Sequence, residues 1–138
     1  MVNENSAPDP ADEVRVLVVD DQAPFRVAAR AVIDRAPGFR LVGEAGDGAE
    51  ALQQVADLDP DLVLMDIKMP VLDGIETTAR LVADGHRPVV FLLSTYDRTD
   101  LPDGVTASGA AAYLHKEELS PQVLAELWGV HGPRRPPA

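Results

Sequence analysis

The 138-residue chain contains no cysteine, which excludes disulfides and thiolate metal sites and suits a reducing compartment. No stretch approaches the roughly 18 apolar residues of a membrane span. The N-terminus also lacks the basic-then-apolar order of a secretory signal, so the chain reads as soluble, cytoplasmic and without membrane contact. Positive charge is scarce: 12 Lys and Arg stand against 23 Asp and Glu, for a net charge of −11. Nucleic-acid binding normally rests on a basic face that neutralises phosphates. The one compact basic pair, Arg134 and Arg135, lies in a Pro-rich tail, which excludes direct nucleic-acid contact. There is no glycine-rich phosphate loop to cradle a nucleotide. His86, His115 and His131 are too scattered for a zinc site and read as surface or tail residues.

What is present fits one domain of common size, long enough to bury roughly 65–70% of its unfolded surface in a single core. Residues 1–13, MVNENSAPDPADE, are polar and acidic and read as a disordered arm. Residues 14–129 form the domain, and residues 130–138 a Pro/Arg tail, leaving no output domain in this chain. Between the tails the hydrophobic period alternates. Strands are predicted at 14–19, 39–45, 62–65, 89–93 and 111–114. Helices follow from Pro24, Asp47, Asp73 and Ser120, the middle two with an Asp-x-x-Glu capped start. Inward positions include Phe25 and Ile33, Leu52 and Val55, Ala79 and Val82, and Leu124. A fourth helix must absorb Pro102 and Gly104 and is expected to be short, over residues 102–108. Strands alternating with helices predict an α/β doubly wound sandwich of three layers around a parallel sheet.

In such sheets the working crevice lies beyond the carboxyl ends of the strands. The first strand ends in Asp20-Asp21, the third in Asp66, the fourth in Ser94-Thr95, and Lys116 follows the fifth. Singly, each has a bland reading as a helix cap, a turn or a solvated lysine; their convergence on one edge changes the odds. Clustered carboxylates repel one another in a partly closed cleft, and a hard divalent cation such as Mg²⁺, which takes oxygen ligands, resolves that repulsion. A metal-bound carboxylate beside a lysine and a hydroxyl is what phosphoryl transfer to an aspartate needs. Asp66, on a buried central strand, is the best nucleophile candidate, leaving Asp20 and Asp21 for the metal.

From Val14 to Trp128 the sequence resembles the receiver domain of two-component response regulators, the CheY-like family. "VLVVDDQ" resembles the first-strand acidic pair and "LMDIKMPVLDG" the phosphoacceptor segment. "LLST" resembles the switch-hydroxyl strand and "GAAAYLHKE" the lysine segment. "PGFRLVGEAGDGAEAL", with Glu117 where many relatives have proline, is similar to the NarL/FixJ branch, whose members usually carry a LuxR-type DNA-binding domain. The resemblance implies a (βα)5 flavodoxin-like fold with strand order 2-1-3-4-5. It implies that Asp66 accepts a phosphoryl group from a sensor histidine kinase, a phosphotransfer protein or a small donor. Asp20, Asp21, Asp66 and the backbone carbonyl of Lys68 would hold Mg²⁺, with Mn²⁺ as substitute, and Lys116 would contact the phosphoryl group. Ser94 and Tyr113 would be the switch pair, and the surface of the fourth helix, fifth strand and last helix the output face, with homodimerisation on phosphorylation. The implied role is a signalling phosphoacceptor in a phosphorelay controlling a partner or transcription, not an enzyme beyond its own phosphorylation and dephosphorylation.

A stand-alone receiver and a piece of a longer regulator both fit. Pro102 and Gly104 make the fourth-helix face unusual. The bulk of Lys68 and Tyr96 flanks the path of the hydrolytic water and is expected to slow loss of the phosphoryl group. A haloacid-dehalogenase-type phosphatase would place a second Asp at position 68, where this chain has Lys. A scaffold that binds partners without phosphorylation would have no need of the acidic, hydroxyl and lysine positions.

Overall fold

The computed structural model describes residues 13–86, 88–96 and 101–133. The expected N-terminal arm, apart from Glu13, and the end of the expected tail lie outside the described residues. Five parallel strands form one sheet in the order β2-β1-β3-β4-β5. They are β1 (Val14–Val19), β2 (Phe39–Ala45), β3 (Leu62–Asp66), β4 (Val89–Ser94) and β5 (Ala112–His115). Among the described residues four α-helices cover the sheet: α1 (Ala23–Arg35), α2 (Gly48–Leu58), α3 (Gly74–Ala83) and α4 (Pro121–His131). The doubly wound architecture and strand order expected from the sequence are therefore present.

The central strand explains why the sheet needs cover on both faces. All five residues of β3 are buried. Because side chains alternate, Leu62 and Leu64 join one core with Ile33 of α1, Phe91 and Leu124 of α4. Val63 and Met65 join the other, with Val55 of α2, Leu81 of α3 and Leu92. The predicted caps hold α2 and α3 in place: Asp47 accepts from the Glu50 amide and Asp73 from that of Glu76. Ser120 caps α4 through Val123.

Three expectations need correction. The fourth helix is reduced to a single 3₁₀ turn at Thr106–Ser108. Its N-terminal half carries Pro102, and Gly104 lies at φ +91°, outside the helical region. The turn stays attached because Leu101 and Val105 pack on the α2/α3 core. On α3, Val82 is 54% exposed, whereas Thr77 and Thr78 are fully buried. Their hydroxyls donate to the carbonyls of Asp73 and Gly74, four residues back, both at 2.7 Å, so the polar groups enter the core satisfied. The last helix runs through His131, two residues past the expected boundary.

Among the described residues no helix is long and apolar enough to cross a membrane.

Candidate functional site

Strand order reverses between β1 and β3, so a crevice opens beyond their carboxyl ends. Both strands end on a buried carboxylate: Asp20, just past β1, is fully buried and Asp66 is 4% exposed. The Asp20 amide donates to the Ala45 carbonyl at 3.0 Å, and that of Ile67 to Leu93 at 2.9 Å. Sheet-type bonding thus continues one residue past each strand end and fixes where the acids point. Asp20, Asp21 and Asp66 each bring a carboxylate oxygen within 4.8 Å of the others. Asp21 is exposed and faces the mouth of the cleft.

Lys116 reaches the same point from the turn after β5. Its ammonium lies 2.6 Å from Asp20 Oδ2 and 3.5 Å from Asp66 Oδ1. Asp20 Oδ1 accepts from the Gln22 amide at 2.8 Å, and buried Oδ2, which has no hydrogen bond of good alignment, is in ion-pair contact with the lysine. One cation is set against a cluster of acids, and the balance shows at Asp66. Burial first, then the charge of Asp20, push its carboxyl up to about 6 from 3.8; Asp21 adds to the rise, and Lys116 opposes it.

A cleft of about 250 Å³ opens onto these groups, lined by Asp21, Asp66, Lys68, Ser94, Tyr96 and Lys116 among others. Ser94, 2% exposed, accepts the Tyr96 amide at 2.8 Å. The Tyr113 hydroxyl donates to the Tyr96 carbonyl. The two expected switch residues therefore grip opposite sides of one residue's backbone. Tyr96 is half-buried and Lys68 exposed at the rim. Of the candidate site residues, Asp21, Asp66, Lys68, Ser94, Tyr96 and Lys116 line the cleft, Asp20 lies behind them against Lys116, and Tyr113 reaches it through the Tyr96 carbonyl.

Of the supporting residues, Gly74 belongs to the LMDIKMPVLDG segment, whereas the pairings made by Arg26, His115 and Phe25 had no such signal in the sequence. Gly74 begins α3 where a Cβ would stand 2.0 Å from the Asp66 carbonyl oxygen, so only glycine lets the helix start against the end of β3. Arg26 donates to the Asp20 carbonyl at 2.6 Å and pairs with Glu44 on β2. Glu44 is 18 residues away in sequence and pairs also with Arg30 at 2.6 Å. His115 is half-buried rather than a plain surface residue. Its Nδ1 accepts from the Glu117 amide, leaving Nε2–H to donate to the Thr95 carbonyl, and so it ties the ends of β4 and β5. Phe25, a core position by its helical spacing, also presents its ring face to Lys116.

Residues 16–127 match the family model described as the response regulator receiver domain. The chain is 32% identical over 110 residues to the transcriptional regulatory protein LiaR of Bacillus subtilis, covering 80% of this chain and 52% of that one. It is 38% identical over 118 residues to a protein-glutamate methylesterase/protein-glutamine glutaminase of Myxococcus xanthus, covering 84% and 34%. The chain thus spans about half or less of the length of these curated relatives. Among solved structures, the receiver domain of the putative response regulator NarL from Mycobacterium tuberculosis superposes with a TM-score of 0.76 at 32% identity, covering 86% of this chain and 98% of that one. The response regulator domain of Thermotoga maritima CheB gives 0.77 at 28%, covering 89% and 99%. Fold, acidic edge and family match agree: the chain belongs to the receiver domains of two-component response regulators.

Proposed function

We propose that Asp66 is the phosphoacceptor, and the observation that carries this is its setting. It is a buried carboxylate, raised to about 6 yet mostly ionised at neutral pH, at the floor of a cleft where a lysine and a hydroxyl are already in place. A carboxylate oxygen of Asp66 attacks phosphorus, on a phosphohistidine of a sensor kinase or phosphotransfer protein, or on acetyl phosphate. The P–N or P–O bond breaks as the acyl phosphate forms, and imidazole or acetate departs. Lys116 holds a cation within reach of the incoming phosphoryl oxygens. Ser94 uses only its oxygen in the bond from Tyr96, so its proton is free to meet the phosphoryl group. Movement of Ser94 then pulls on the Tyr96 backbone that Tyr113 also holds, carrying the event to β5 and the β4–β5 connection.

Receiver domains generally bind Mg²⁺, and this donor set fits it. The acids supply hard oxygen ligands, and buried Asp20 Oδ2 lacks an aligned hydrogen bond. Asp20, Asp21, Asp66 and the Lys68 carbonyl would hold the ion, which would neutralise charge on the transferring phosphoryl oxygens. Lys68 and Tyr96 flank the approach to Asp66 and shield the acyl phosphate from water, so Tyr96→Ala should lose phosphate faster than the parent.

The output is a population shift rather than turnover of a substrate. The relative named as a transcriptional regulatory protein supports control of transcription; by the NarL/FixJ resemblance this would run through a DNA-binding domain of the LuxR type, and a separate partner protein is the alternative output. With a net charge of −11, this chain makes no nucleic-acid contact of its own. Homodimerisation on phosphorylation and a cytoplasmic location complete the reading. Its test is intact mass after incubation with Mg²⁺ and acetyl phosphate. One phosphoryl adduct is expected on the parent, absent without Mg²⁺ and absent from Asp66→Asn. An unmodified parent, folded and with Mg²⁺ present, also silent with a panel of kinases, would favour a scaffold that works without phosphorylation.

A further inference from the structure

The ammonium of Lys116 has a third neighbour besides the two carboxylates: it lies over the ring of Phe25, 4.5 Å from the centroid. Phe25 stands in the first turn of α1, the helix that follows the acidic pair, so one short segment carries both the carboxylate and the ring that meet this lysine. The Lys116 side chain is 10% exposed, and a cation removed from water gains most from an aromatic face.

We propose that Phe25 is a positioning residue for Lys116, its ring face holding the ammonium between Asp20 and Asp66 in a form that stays free to move. The inference rests on the phosphoacceptor reading and deepens it. A carboxylate or amide at position 25 would take one of the ammonium's donors in a directed hydrogen bond. A ring face attracts the charge without demanding a direction, so all donors stay available when a phosphoryl group arrives. The lysine can turn from Asp20, 2.6 Å away, towards Asp66, 3.5 Å away, while remaining over the ring.

Phe25 also packs against the α1/α4 core, so the test must separate ring face from bulk. Phe25→Leu, Phe25→Tyr and Phe25→Trp would be compared with the parent for the rate of phosphoryl uptake from acetyl phosphate at saturating Mg²⁺, beside their melting temperatures. Phe25→Leu is expected to be about 3- to 10-fold slower, with the aromatic variants within about twofold of the parent, the size of a partly desolvated cation–π contact. In a Lys116→Gln background, Phe25→Leu should change the rate no further. The ε-protons of Lys116 should show an upfield ring-current shift by NMR that Phe25→Leu abolishes.

An unslowed Phe25→Leu, aromatic variants as slow as leucine, or an equal loss in the Lys116→Gln background would each overturn the proposal. The NMR shift is read on unphosphorylated protein and so decides about Phe25 by itself: its absence refutes the contact. A parent that takes up no phosphoryl group would instead count against Asp66 as acceptor.

Discussion

The carboxyl ends of β1 and β3 and the connection from β4 to β5 share one edge of the sheet but are built in opposite ways. The first region is over-determined. Asp66 ends a strand whose five residues are all buried, Ile67 bonds onward to Leu93, and Gly74 brings α3 against the Asp66 carbonyl with no room to spare. Among its described residues the second has one 3₁₀ turn where a helix was expected. That turn is pinned by the Ser108 hydroxyl on the Val105 carbonyl at 2.7 Å and flanked by glycines at φ +91° and +96°. The proposed phosphoacceptor would sit in the first region, where the backbone is fixed, and the proposed response would draw on the second.

Glycine substitutions should separate the two most sharply. Gly74→Ala would place a Cβ 2.0 Å from the Asp66 carbonyl oxygen and 2.9 Å from its carbon, backbone atoms that cannot swing aside, and is expected to cost about 3 kcal/mol or more. Gly104→Ala meets only Ile75 Cγ2 at 3.4 Å. It should cost about 1–2 kcal/mol, through its left-handed backbone alone. Urea unfolding of both variants measures the contrast, and equal losses would break it.

The carboxyl end of β3 is fixed at a penalty that depends on pH. The Asp66 carboxyl is raised from 3.8 to about 6, so the folded protein binds the proton more tightly than the unfolded chain. Its contribution to stability is therefore full below about pH 4 and lost as pH rises through 6, the reverse of a salt-bridged aspartate. At about 1.4 kcal/mol per pH unit the difference amounts to about 3 kcal/mol at most. Asp66→Asn removes the ionisation, and at pH 7.5 in metal-free buffer it should be more stable than the parent by about 1–3 kcal/mol, with the gain vanishing near pH 4. Thermal melts across that range would show it. A variant less stable at pH 7.5 would mean that Lys116 outweighs burial and the Asp20 charge.

Legibility in the sequence followed the same division. Asp20, Asp21, Asp66, Ser94 and Lys116 could be placed together because strand ends in a parallel sheet converge, and the apolar runs that set those ends are unmistakable. The capped starts of α2 and α3 were legible because an Asp-x-x-Glu pattern is local. The buried face of α3 was not: Thr77 and Thr78 look polar in sequence, and only their bonds to carbonyls four residues back make them core. Arg26 with Glu44, and Phe25 with Lys116, join residues far apart in the chain, which no short-range pattern records. Pro102 and Gly104 did announce a weak fourth helix, but propensity alone left room for a short α-helix where packing of Leu101 and Val105 suffices with a 3₁₀ turn.

The division between a fixed acceptor and a connection free to reorganise is tested most directly by amide hydrogen exchange, with and without Mg²⁺ and acetyl phosphate. Residues 62–66 should exchange only through global unfolding in both conditions. Residues 101–110 should exchange far faster at first and gain protection on phosphorylation. Protection of 101–110 equal to that of α3 before any phosphoryl donor is added, or no change after it, would contradict the account.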